Sequence, residues 1–213
     1  MPSNHTIGLS QGVFGGCTRL REVANSENIN SIGALAFSGC TALQRIELGS
    51  ALSRIGEGAF AECRSLTSVA LPLSLREVGN GAFAGCQELA FYSAPDSLAT
   101  LSKEMFRGCV SLREAVIPAA VTVIPEGAFK DCISLREVNI PAGVQTVEAR
   151  AFENCRKLHT VRMELGVTRI GAHAFDGTPA LREVFLPHSV KKLGRGAFGT
   201  GKRTDGEKIT VCA

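Results

Sequence analysis

Seven of the chain's eight cysteines, Cys17, Cys40, Cys63, Cys86, Cys109, Cys132 and Cys155, stand 23 residues apart, and Thr178 takes the eighth place in the series. Thiols in such number can hold zinc or form disulfides. A zinc site needs cysteine pairs about two to four residues apart that converge on one point, whereas these are strung along a line. A disulfide needs Cβ atoms about 3.8 Å apart with facing vectors, and an in-register ladder leaves them parallel at about 4.8 Å. The remaining reading is a column of buried, reduced thiols acting as small hydrophobes. Cys212 lies off the ladder near the chain end and is the expected reactive thiol. His5, His159, His173 and His188 fall in outward or terminal places without an acidic or nucleophilic partner, and no glycine-rich phosphate loop is present. The expectation is a chain with no catalytic site, no metal and no cofactor.

Something must bring a cysteine round every 23 residues, and the phenylalanines say what. Phe14, Phe37, Phe60, Phe83, Phe106, Phe129, Phe152, Phe175 and Phe198 share the period without insertion or deletion, and each cysteine follows its Phe by three. Leucine follows six on, Val or Ile mostly nine on, and further apolar residues eleven, fifteen and eighteen on, the last usually followed by Gly. A period of about 20 to 29 residues carrying Leu-x-x-Leu-x-Leu resembles a leucine-rich repeat. One such unit cannot bury its own apolar residues, so stacked copies must bury them against each other.

Within a repeat, Leu135-Arg-Glu-Val-Asn-Ile-Pro141 alternates as a short strand does, and the proline stops it. Val144-Gln-Thr-Val147 makes a second, weaker extended segment. Gly-x-x-Ala-Phe-x-x-Cys-x-x-Leu, with apolar residues at steps of three, predicts a short helical turn, its glycine giving the corner backbone freedom. The fold class expected is α/β: a leucine-rich-repeat solenoid of nine 23-residue coils. It would carry a parallel β-sheet on one side and short helical turns on the other, over about 40 Å. Residues 1–198 form the solenoid, with 1–10 frayed or capping, and 199–213 are a degenerate last repeat or C-terminal cap in which Ile209-Thr-Val211 offers a closing strand. Three places depart from the pattern: Asn25 stands in an inward slot; the fourth repeat reads Leu89-Ala-Phe-Tyr-Ser-Ala-Pro95, with Tyr92 inward and Phe91 outward; and the ninth, after Phe198, loses its Cys and Leu.

The pattern Pro-x-x-Val-x-x-Ile-Gly-x-x-Ala-Phe-x-x-Cys-x-x-Leu-x-x-Val, running over residues 9–198, resembles the BspA-type leucine-rich repeat, also called the Treponema pallidum class. The resemblance implies a curved solenoid that binds other macromolecules, often on the surface of bacteria or protists, with adhesion to host matrix proteins in some members. Exported members carry targeting segments, and no signal peptide is visible here.

Composition agrees with a folded chain: 45% hydrophobic and 20% charged residues, and no run approaching the roughly 18 apolar residues of a membrane helix. The net charge of +3 is concentrated from Lys191 onward, where six basic residues face two acidic ones. No aromatic residues interleave with that basic segment, so nucleic acid is not the expected partner. Unpaired cysteines and the missing signal favour the cytoplasm, with the cell surface open if the chain is a fragment.

Outward strand positions lie eight and ten after each Phe. Glu114 and Glu137 fall in the first row, flanked one residue earlier by Arg113 and Arg136, which are expected to relieve repulsion between the stacked carboxylates. Phe91 and Phe185, with Val116 between them and Arg162 beside, are aromatic, apolar and guanidinium groups on a polar surface. The expected function is a non-catalytic protein-interaction module whose anchors are Phe91, Val116, Arg162 and Phe185, flanked by Glu114 and Glu137. The alternative is a structural spacer or intracellular scaffold domain of a larger protein.

Overall fold

The computed structural model describes residues 6–24, 26–199 and 210–211; His5, Asn25 and Cys212 lie outside them. Each coil is named here by its phenylalanine, coil 1 carrying Phe14 and coil 9 Phe198, with eight full turns between them.

Every coil contributes up to two short strands. The first series is β2 (Glu22–Val23), β4 (Arg45–Ile46), β6 (Ser68–Ala70), β8 (Phe91–Ser93), β9 (Glu114–Ala115), β11 (Glu137–Ile140), β13 (Thr160–Met163), β15 (Glu183–Phe185) and β17 (Thr210–Val211). The second is β1 (Ile7–Leu9), β3 (Ile29–Ile32), β5 (Arg54–Ile55), β7 (Glu77–Val78), β10 (Val123–Ile124), β12 (Thr146–Val147), β14 (Arg169–Ile170) and β16 (Lys192–Leu193). All pairings are parallel; past the bulge at Ile7 they run 23 residues apart, as Val138 with Val161 and Val147 with Ile170, except β15–β17, where Glu183 faces Thr210 and Val184 faces Val211. The segment expected to be weaker thus builds a ladder of its own. Neither ladder is continuous: the sheets are β2-β4, β6-β8 and β9-β11-β13-β15-β17 on one side, and β1-β3-β5-β7 and β10-β12-β14-β16 on the other. β17 pairs with β15, so the last repeat does add a strand.

The expected helical turns are absent; among the described residues the one helical segment is a 3-10 turn at Ser26–Asn28. The Phe face is a stack of β-turns whose amides alternate in direction. Leu35, Phe37 and Gly39 donate across to Glu57, Ala59 and Ala61 of the next coil at 2.7–2.8 Å, while Ala36, Ser38 and Cys40 donate three residues back at 3.0–3.3 Å. A helix would send all of them four residues back along the same chain. Left-handed residues two before and two after the Phe enforce the difference, as at Leu35 (φ 56°) and Gly39 (φ 72°), because they break right-handed winding.

The glycine that stands nineteen after five of the phenylalanines, as Gly33, Gly56, Gly79, Gly171 and Gly194, also plays a different part from the one expected. Its φ is not positive; instead a Cβ on Gly56 would lie 2.4 Å from Ala34 N, and one on Gly79 2.3 Å from Glu57 N. It is there because neighbouring backbones come too close for any side chain.

Inside the coils, successive phenylalanine rings stack with centroids 5.1–5.6 Å apart and planes within 15°. Rings from Phe37 to Phe175 are wholly buried, and Phe14 and Phe198 are half-buried at the ends. Identical side chains at 23-residue intervals can stack this way only because every coil has the same length.

Candidate functional site

The parallel register of β9, β11, β13 and β15 sets the outward rows of the first strand series side by side. Glu114 neighbours Glu137, Glu137 neighbours Thr160, and Arg162 stands between Asn139 and Phe185. A depression of about 820 Å³ lies over this stretch, lined by Glu114, Val116, Arg136, Glu137, Asn139 and Glu164 among others. Three expected anchors or flanks therefore share one groove. Arg162 borders it: its Nη1 lies 3.4 Å from Glu137 Oε2, and its guanidinium sits 5.4 Å from the centre of the Phe185 ring. Phe185 is half-buried beneath that cation. Phe91 is 53% exposed on β8, one coil away from the groove.

Two details differ from expectation. The carboxylate of Glu137 is neutralised by Arg162 from the neighbouring coil, while Arg113 and Arg136 make no ion pair among the described residues. Consecutive residues of an extended chain point apart, so an arginine one position before a glutamate is poorly placed to reach it. Thr160, expected to face outward, is only 5% exposed. His159 Nδ1 lies 3.0 Å from its hydroxyl, which donates to Glu183 Oε2 at 3.4 Å.

Glu164 was missed as a groove residue. It stands in the slot occupied elsewhere by Pro118, Pro141 and Pro187, a departure visible in the sequence, and its Oε2 accepts the Ala142 amide at 3.0 Å. Beyond it, Met163, Leu165 and Pro187 line a shallow apolar depression of about 620 Å³ in which Leu165 is 60% exposed.

The cysteine column lies away from this face. Cys40, Cys63, Cys86, Cys109, Cys132 and Cys155 are buried, and each Sγ donates to the carbonyl of the preceding coil's phenylalanine at 3.1–3.2 Å. Burial, with a smaller contribution from the neighbouring thiol Cys40, pushes the Cys63 thiol up to about 12. At pH 8 that leaves a thiolate fraction on the order of one in ten thousand. Thr178 substitutes by donating to Phe175 O of its own coil at 2.7 Å. Cys17, in the end coil, is exposed, contrary to the expectation of a uniformly buried ladder. Alkylation of native chain should therefore modify Cys17 at least ~100-fold faster than the six interior thiols; equal rates at all seven would contradict the packing. Among the described residues no group of three or more His, Cys, Asp or Glu could hold a metal.

His173 has the acidic partner the sequence reading did not find: its Nδ1 lies 3.0 Å from Asp176 Oδ2. The pair spans one β-turn, where both side chains are about one-third exposed.

The family model described as BspA type Leucine rich repeat region matches residues 2–113 and 99–211. No curated protein matches the chain in sequence. Among solved structures, the Treponema pallidum leucine rich repeat protein is 29% identical with a TM-score of 0.68, over 91% of this chain and 80% of that one. A leucine rich cell surface protein from Faecalibacterium prausnitzii is 26% identical with a TM-score of 0.61, over 89% of this chain, which spans 61% of that protein. A leucine-rich repeat protein from Bacteroides ovatus shares the fold at 21% identity and a TM-score of 0.54, over 93% of this chain and 81% of that one. No helix among the described residues is long and apolar enough to cross a membrane.

Proposed function

The chain belongs to the BspA-type leucine-rich repeat family, and from that premise we propose that it is a non-catalytic module that binds a protein partner on its first-strand face. The observation that carries this reading is the groove on β9 and β11, where Val116 is 39% exposed between the carboxylates of Glu114 and Glu137 and the unpaired guanidiniums of Arg113 and Arg136. Apolar and arginine anchors with a charged surround are what protein interfaces concentrate. Arg162 and Phe185 extend the surface on one side and Phe91 on the other. A spacer would have no use for exposed apolar residues on this face, so the binding reading is preferred.

The Faecalibacterium prausnitzii relative is described as a cell surface protein, while reduced thiols suit a reducing compartment. Thiols buried as these are resist oxidation in either setting, so the ladder does not oppose a surface role.

The test is capture of the partner by proximity labelling with the unaltered chain and with a Phe91→Ser, Phe185→Ser variant whose circular dichroism matches it. Loss of two anchors should weaken capture by about 30-fold, the equivalent of a single interface hot spot of 2 kcal/mol. Undiminished capture would retire the assignment of these anchors.

A further inference from the structure

Between coils 4 and 5 both strand ladders are interrupted; among the described residues the first is also broken between β4 and β6, and the second already ends at β7 of coil 3. Residues seven after the Phe donate to the coil before at 2.8–3.3 Å from Gln44, Thr67, Ala90, Arg136, His159 and Arg182, but Arg113 makes no such bond to Ala90. Sixteen after the Phe, Ser53, Arg76, Gln145, Thr168 and Lys191 donate at 2.8–2.9 Å, whereas neither Ala99 nor Thr122 donates to the coil before. Nineteen after it, Pro125 has no N–H to offer Leu101. β8 and β9 are unpaired with each other, and coil 4 has no strand in the second series.

The Phe face is intact at the same level. Gly81, Phe83 and Gly85 donate to Lys103, Met105 and Arg107 at 2.7–3.0 Å, and the Phe83 and Phe106 rings remain stacked, at the widest spacing of the series, 5.6 Å. The cause lies in coil 4. Tyr92 fills an inward slot held by Val or Ile in coils 1–3 and 6–8 and by Ala115 in coil 5, and its ring lies 4.3 Å from that of Phe106, tilted by 29°. Its hydroxyl donates to Val116 O of coil 5. From Arg113 onward that hydroxyl joins coil 4 to coil 5 on the strand side where backbone bonds join other coils; two residues earlier Ser111 still donates to Gln87 O at 3.1 Å.

We infer that the junction between coils 4 and 5 is a hinge: the blocks on either side pivot on the continuous Phe83–Phe106 turn face, and the Tyr92 hydroxyl latches the strand side shut. The interaction face is divided by this hinge, with Phe91 on one block and Val116, Arg162 and Phe185 on the other. A partner that touches both blocks therefore sets the angle between them, and preference for one angle selects partners by shape. That consequence rests on the proposed binding face; the hinge itself does not.

Pulsed dipolar spectroscopy on the free chain tests it. In a Cys17→Ser, Cys212→Ser background, spin labels at Ser68→Cys and Glu137→Cys span three coils across the junction; labels at Glu114→Cys and Glu183→Cys span three coils within one block. The crossing pair should give a distance distribution about twofold wider than the internal pair. Tyr92→Phe should widen the crossing distribution further and leave the internal one unchanged. A crossing pair that matches the internal pair in the unaltered chain but widens in Tyr92→Phe assigns a latch that holds the hinge closed. Equal widths in both chains overturn the hinge while leaving the binding face standing, because that is read by partner capture. If the internal pair also broadens in Tyr92→Phe, the variant has lost its fold and the unaltered chain alone decides: a wider crossing pair supports the hinge and equal widths overturn it.

Discussion

Replacing Phe129 by alanine is expected to destabilise the chain by about 3–5 kcal/mol, the loss seen when a wholly buried ring leaves a cavity. The ring is 0% exposed and stacks between Phe106 at 5.5 Å and Phe152 at 5.3 Å. In a solenoid each coil touches only its neighbours, so the cavity weakens two interfaces and splits the array at its middle. Phe14→Ala provides the comparison. That ring is half-buried and has one stacked neighbour, so its loss should be no more than about half as large. Urea titrations of both variants, followed by circular dichroism, measure the difference. Equal and small losses at the two positions would mean that the interior ring is not packed as described.

The second large effect belongs to a glycine. Gly79→Ala should cost about 1–3 kcal/mol or more by overpacking, because the added Cβ would lie 2.3 Å from Glu57 N and 2.5 Å from Gly56 C, both backbone. These atoms have no side-chain freedom with which to yield. The Gly79 amide donates to Ile55 O at 2.8 Å, so the coils cannot separate without breaking a ladder bond. The same slot holds Ser102, Pro125 and Glu148 in coils 4, 5 and 6. A side chain is thus admissible where neighbouring backbones have adjusted to it. At Ser102 the adjustment is visible: the amide no longer bonds Val78 O, and the side-chain hydroxyl donates there instead. Thermal unfolding of Gly79→Ala is the check; an unchanged midpoint would show that the coils are farther apart than described.

The positions that read most directly from sequence are those where one residue type repeats because a neighbouring copy of itself must fit against it. Phenylalanine, cysteine and the leucine six residues after each Phe are of this kind, and period alone located the column. The turn face was misread because apolar residues at steps of three suit a helix as well as a stack of turns. What separates the two is where the amides go, and alternate amides here bond to another coil. The clue lay in residues two before and two after each Phe, where Gly81, Gly85, Asp131 and Asn154 favour left-handed backbone, although Leu35 and Arg150 obscure it. The glycine nineteen after the Phe was placed correctly and explained wrongly, since close approach and positive φ leave the same trace in a sequence.

The candidate face was legible as two rows but not as a surface. Strand alternation gave the outward positions, and the register then brought Glu114, Val116 and Glu137 into one groove. The pairing of Glu137 with Arg162 was hidden because it joins different slots of neighbouring coils. Coil 4 announced itself through Tyr92 and Phe91, and only the missing ladder bonds reveal what that irregularity does.

The column of stacked rings is the claim on which coil spacing, outward rows and hinge all depend. Ring-to-ring nuclear Overhauser effects in phenylalanine-labelled protein test it most directly. With centroids 5.1–5.6 Å apart along the series, cross-peaks should join each ring to the rings 23 residues before and after it, from Phe14 to Phe198, and should skip those 46 residues away. Absence of the 23-residue connections, or contacts from the Phe60, Phe83 and Phe106 rings to water, would contradict it.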